Sequence, residues 1–286
     1  MGHSIFLTRR KRTRFTYRLN GLIQKSEIFI TNKRQRFVIS VLTLSAGLFF
    51  SENLLSKSGF FVVILLAVFT DLLFFFCLRR DIKGNNIKYY LYAFILPFFY
   101  TLSFGLFYFL APARFLTRIF ITALYAVGLY SLFLAQNIFL VASVRTIGLI
   151  SGARIVSFLL TIIAFFFFSD VVFSFDLSIV LTAFIIFLSA FCLILQSIWT
   201  VELDSSLSNK INWTVILSVC LFEFSLVLGF WPANSTIIAI FLTGFLYIVI
   251  GLSQAWLDKR LFKGIIWEYI WVGAIVFSLL MFSTFV

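Results

Sequence analysis

From Phe37 onward the chain alternates between long apolar stretches and short polar ones. Nine runs come close to the ~20 residues that a helix needs to cross the hydrocarbon of a bilayer: Phe37–Leu55, Gly59–Leu78, Tyr89–Ala111, Thr117–Ala142, Arg154–Phe173, Leu177–Thr200, Ile211–Trp231, Ser235–Leu257 and Ile265–Phe285. Each is predicted to be helical, because no water at that depth satisfies an open backbone. A membrane barrel would alternate apolar and polar residues with period two. Runs such as Ala164-Phe165-Phe166-Phe167-Phe168 do not alternate. The expected fold is an all-α, polytopic bundle of about nine transmembrane helices (residues 37–286), preceded by a basic tail (residues 1–36).

Composition strengthens this reading. Hydrophobic residues make up 62% of the 286 positions and charged ones 12%, against roughly 45–50% and 25% in soluble domains. A water-soluble fold of this length could not hide so much apolar side chain, since much of any folded surface faces water. The 41 phenylalanines are expected mainly on lipid-facing surfaces, which accept any large apolar side chain.

Charge adds the orientation. The +12 net charge would suggest nucleic acid as the partner of a soluble protein, but here its placement indicates threading. Apart from Lys57, Arg114 and Arg118, every Lys and Arg falls in the N-terminal tail or in alternate loops on the same side. By the positive-inside rule that side is cytoplasmic, so the N-terminus is in and the C-terminus out. Asp170 and Asp176 belong to the Ser169–Asp176 connection, expected outside. Trp199, Trp213, Trp256, Trp267 and Trp271 mark cytoplasmic helix ends, where an aromatic belt is expected.

The tail reads as a retained anchor. Its Phe15, Leu19, Leu22 and Ile23 lie near one helical face and its bases suit anionic lipid headgroups. A disordered tail that only enforces topology is the competing reading. The expected location is a bacterial cell (inner) membrane, with the mitochondrial inner membrane as the alternative, because the Arg-rich start resembles a presequence.

Candidate functional positions are polar groups at membrane depth, where an acid costs ~2.5–3.5 kcal/mol on insertion scales. Asp71 and Glu223 are the two acids well inside runs. Uncharged polar residues form stripes at helical spacing. Ser189, Cys192, Gln196 and Thr200 make one; Thr243, Tyr247, Gly251, Gln254 and Asp258 make another; Tyr130, Gln136 and Asn137 add to them. Such residues either glue helices together or line a cavity, and in both cases they are expected to point inward. Arg145 and Arg154 bracket a Gly-Ser-Gly-containing turn and are candidate contacts for a lipid phosphate. Pro97 is the one proline deep within a run, so a kink is expected there.

Other chemistry is excluded or disfavoured. The only histidine is His3, so the chain offers no His-based metal site and no Ser-His-Asp triad. Cys77, Cys192 and Cys220 lie inside apolar runs without C-x-x-C spacing, as apolar core residues do. No catalytic residue, metal or cofactor is assigned. The leading functional expectation is a non-enzymatic subunit or scaffold of a membrane assembly. Its expected partners are the lipid bilayer and either another membrane protein or further copies of itself, with no nucleic acid. A small transporter using Asp71, Glu223, Gln196 and Gln254 is the alternative. A lipid-active enzyme, with Glu202 or Asp204 near Arg145 and Arg154, ranks third.

Overall fold

The computed structural model describes residues 33–54, 59–78, 87–112, 114–143, 148–201 and 207–285. The proposed tail helix, Arg145, Glu202 and Asp204 lie outside the described residues. Among those described, all regular structure is helical: α1 (Lys33–Leu54), α2 (Gly59–Leu78), α3 (Ile87–Leu110), α4 (Phe115–Ala142), α5 (Ile150–Ser174), α6 (Ile179–Val201), α7 (Leu207–Gly229), α8 (Ser235–Leu257) and α9 (Lys263–Phe285). The helices α2 to α9 are each long and apolar enough to cross a membrane. The chain is a multi-pass membrane protein built as a helical bundle.

The first predicted span is the exception. Its helix α1 starts with Lys33, Arg34 and Arg36, which shorten the apolar stretch and keep it below the hydropathy of the other eight. At 1.5 Å per residue its 22 residues still measure about 33 Å. Phe37, Val41, Leu44 and Leu48 recur on one face and are all buried, so α1 joins the bundle through a single apolar stripe.

Most helices outrun the apolar stretches that predict them. The cause is physical: hydropathy marks where lipid begins, whereas the helix stops where its backbone bonds stop. The consequence is largest at α5, which continues to Ser174. Ser169 and Asp170, which the Arg154–Phe173 run and the expected outer connection share, are helical as the run predicts and buried rather than in a connection. Helix α3 continues through Pro97 as one helix.

Helices α3 and α5 form the centre. Helix α3 packs against α2, α4, α5 and α6, and α5 against α3, α4, α6 and α8. Helix α1 lies on α2 and α4, and α7 on α6 and α8. Helix α9 packs on α8, with only 6% of its span buried. Glycines make that last contact close: a Cβ at Gly244 or Gly251 of α8 would overlap Val276 or Tyr269 of α9, as expected where lipid removes the hydrophobic drive and close packing must replace it.

The aromatic content is distributed differently from expectation. Many phenylalanines do face outward, but Phe37, Phe74, Phe104, Phe133, Phe139 and Phe165 are fully buried. Phe74 stacks on Phe133 at 4.8 Å between ring centroids, and Phe37 meets Phe133 at 5.9 Å. Between α1, α2 and α4 interlocked rings fill the space, beside a hydrogen bond between Ser40 of α1 and Cys77 of α2. Trp199 is a second correction. It is fully buried and stacked on Tyr92 at 5.7 Å, so it belongs to the core and not to a headgroup belt. Trp213, Trp256, Trp267 and Trp271 are exposed.

Candidate functional site

The last carbonyls of a helix have no partner within it. Arg154, in the second turn of α5, supplies donors to two such carbonyls at the end of α6: Nε donates to the Thr200 oxygen at 3.1 Å and Nη2 to that of Val201 at 3.0 Å. Its Nη1 reaches both carboxylate oxygens of Asp258 at 3.3 Å, at the C-cap of α8. One planar guanidinium thus ties the ends of α6 and α8 to the start of α5, a geometry that its rigid fork of donors permits.

One turn further into the bundle lies a layer of amides and hydroxyls. Gln196 Nε2 donates to Ser157 Oγ at 3.3 Å, joining α6 to α5. Gln254 Nε2 donates to Ser197 Oγ at 2.7 Å, joining α8 to α6. Gln136 of α4 is fully buried. It precedes Phe139 by three residues, as Gln196 precedes Trp199, and the Phe139 and Trp199 rings meet at 6.2 Å. Successive membrane-spanning helices with short connections are antiparallel, so α4 and α6 run the same way. Both amides therefore sit one turn to the same side of that ring contact, with α5 packed against both helices.

This layer is not fully satisfied internally. Both polar atoms of Gln136, Gln196 Oε1 and Trp199 Nε1 are buried without a hydrogen-bond partner among the described residues, as is Asn137 Oδ1 on the adjoining face of α4. Buried polar atoms in this state are where an ordered water or a polar ligand group is accommodated. Among the described residues no three His, Cys, Asp or Glu side chains gather as a metal site. What the arrangement does is hydrogen-bond helices together at one end of the bundle.

The structure thus brings Arg154, Gln196 and Gln254 together, with Gln136 at the same level and Asn137 beside it. It does not bring the two acids together. Asp71 lies on α2, which packs on α1 and α3, and its Oδ1 is buried without a hydrogen-bond partner. Glu223 lies on α7, exposed, on the side opposite the buried Leu221, Ser225 and Leu228. In the stripes of α6 and α8, Ser189, Gln196, Thr200, Thr243 and Gly251 are buried, Cys192, Tyr247 and Gln254 half-buried, and Asp258 exposed at the C-cap of α8.

Two participants, Ser157 and Ser197, and the buried Asp170 elsewhere on α5 are not singled out by the sequence reading. Ser157 follows Arg154 by three residues and shares its face, a spacing that could have found it. Ser197 neighbours the Gln196 stripe without belonging to it. Asp170, at the other end of α5, is 6% exposed, with Oδ1 unpartnered. Its position near the end of an apolar run made it resemble a loop residue.

No curated protein and no solved structure matches the chain. A family model described as a protein of unknown function, DUF5656, matches residues 41–283 and so covers every helix from within α1 to within α9. The chain belongs to the DUF5656 family.

Proposed function

We propose that this protein is a non-enzymatic subunit or scaffold of a membrane assembly, and that it engages another membrane protein through the outer face of α7. The observation that carries this reading is Glu223. It lies inside the Lys210–Gly229 span yet on the exposed face, in line with Asn212, Ile216, Val219, Val227 and Phe230, all exposed. Their spacing of three and four residues makes one stripe along the helix. A carboxyl group turned to lipid is costly, and a hydrogen-bond donor on a neighbouring helix removes that cost. The polar layer around Arg154 supports the same reading, because its amides hold α5, α6 and α8 together as a rigid platform.

The distribution of bases supports an inner (cell) membrane location with the N-terminus in the cytoplasm. The transporter alternative needs Asp71, Glu223, Gln196 and Gln254 along one passage, and the separation of α2 from α7 weighs against it. The lipid-enzyme alternative needs Arg154 available to a phosphate, whereas its three nitrogens are engaged by Thr200, Val201 and Asp258.

The test is photo-crosslinking in native membranes from Val219 and Val227, with the buried Leu221 as control. The expected result is a discrete adduct from the two outer positions that is lost in Glu223→Leu and retained in Glu223→Gln. A protein that yields no adduct from either position and purifies alone in mild detergent would overturn the reading.

A further inference from the structure

A cavity of about 480 Å³ lies between α6, α7, α8 and the start of α9, within the ~300–1,000 Å³ common for small-molecule sites. Leu217, Leu252, Leu257, Leu261 and Ile266 line it, together with the rings of Trp213 and Trp256, whose centroids are 4.9 Å apart. Its polar wall consists of Lys210 and Ser253. The Ser253 hydroxyl donates to the Val249 carbonyl at 2.6 Å, and Lys210 is buried in the wall.

The depth of the cavity follows from which turns build it. Ile198, Trp256 and Leu257 come from the last turns of α6 and α8, and Lys210, Trp213 and Ile266 from the first turns of α7 and α9. The ends of bilayer-length helices lie at the level of the headgroups, where tryptophan is favoured. The chain reversal after α8 then decorates the mouth with charge. The Arg260 N–H bonds the Ala255 carbonyl at 2.9 Å and the Lys259 N–H that of Trp256 at 3.0 Å, with Lys259 at φ 56°, which is a Schellman termination. That turn carries Leu261 onto the cavity wall and leaves Lys259, Arg260 and Lys263 exposed beside it.

We propose that this cleft binds one anionic phospholipid, its acyl chain against Leu217, Leu252 and Ile266 and its phosphate met by Lys259, Arg260 and Lys263. An apolar slot opening onto a cationic rim at headgroup level matches an amphiphile with a negative head. Charge argues against the other occupants. The protein's own residues 1–32 are rich in Arg and Lys and would be repelled by the same rim. A second copy would set two such rims against each other.

Trp213 and Trp256 provide the readout, since bromine on an acyl chain quenches only indoles that it approaches. The full-length protein in detergent is titrated with brominated phosphatidylglycerol and, separately, with brominated phosphatidylcholine. The anionic lipid is expected to quench at least tenfold lower concentration than the zwitterionic one. The excess quenching should vanish in W213F/W256F and weaken at least tenfold in K259Q/R260Q/K263Q, whose substitutions are on exposed positions. Equal quenching by the two lipids, an excess that survives W213F/W256F, or an excess indifferent to the triple substitution would each overturn the proposal. Glu223→Leu leaves the quenching unchanged, which separates this site from the α7 face.

Discussion

The hydroxyl of Tyr100 lies directly over Gly128, in the space that any side chain there would occupy. Tyr100 is buried, donates to the Leu124 carbonyl at 3.4 Å and stacks on Tyr125 at 5.8 Å, so it cannot swing away without breaking the contact between α3 and α4. Gly128→Ala is therefore expected to lower stability by about 1–3 kcal/mol, the usual cost of overpacking. Gly152→Ala is the control: among the described residues nothing lies within 4 Å of its added methyl, and replacing glycine in a helix gains roughly 0.5–1 kcal/mol. Thermal unfolding in detergent should move the two midpoints in opposite directions.

The clamp at Arg154 makes unequal bonds. Those to the Thr200 and Val201 carbonyls satisfy groups that nothing else in the helix can reach, whereas the ion pair with Asp258 is partly exposed, at 27% and 33%. Arg154→Gln should cost about 1.5–3 kcal/mol, as for hydrogen bonds to a charged group, and Asp258→Asn below about 1 kcal/mol, as for surface pairs. Arg154→Lys should resemble Arg154→Gln, because one ammonium cannot serve carbonyls and carboxylate together. Detergent unfolding of the three variants checks the order. A larger loss in Asp258→Asn than in Arg154→Gln would show that the ion pair, and not the capping, dominates.

How far these features can be read from sequence depends on what signal each residue sends. Gly59–Leu78 and Ser235–Leu257 are predicted to the residue because charge or a turn abuts both ends of the apolar run. The inward stripes of α6 and α8 are legible because polar side chains seek one another in lipid whatever else they do. Trp199 and Asp170 were misplaced for the same reason. Each stands near the end of a run, where a headgroup residue and a buried one have the same sequence context, and only the neighbouring helix distinguishes them. Tyr92 and Phe139 enclose Trp199, and no pattern local to α6 reveals that. The burial of Phe74 and Phe133 is similarly illegible, since hydropathy gives a lipid-facing ring and a core ring equal weight.

Lys259 occupies a backbone conformation that suits glycine. Its φ of 56° closes the turn after α8, and a left-handed conformation costs a residue with a Cβ roughly 1–2 kcal/mol. Lys259→Gly removes that cost and should raise stability by about 1 kcal/mol, read as a higher thermal midpoint in detergent. The same substitution deletes one base from the rim of the lipid cleft. Stability is therefore expected to rise in lipid-free detergent while the added protection by phosphatidylglycerol falls.

Threading can be tested at two described positions that three crossings separate. Asp176 follows α5 and Lys263 begins α9, with α6, α7 and α8 between them, so they lie on opposite faces whichever way the chain runs. Both are exposed. The experiment uses single cysteines at these sites in a background with Cys77, Cys192 and Cys220 changed to alanine, and an impermeant maleimide applied to intact cells. The base distribution predicts that Asp176→Cys reacts at once and Lys263→Cys only after the membrane is opened. The reverse pattern would invert the orientation, and would move the cationic rim of the lipid cleft from the cytoplasmic leaflet, where anionic lipids attract it, to the outer one. Labelling of both from outside would mean that α6 to α8 do not make three crossings, and the antiparallel relation on which the shared level of Gln136 and Gln196 depends would fall with it.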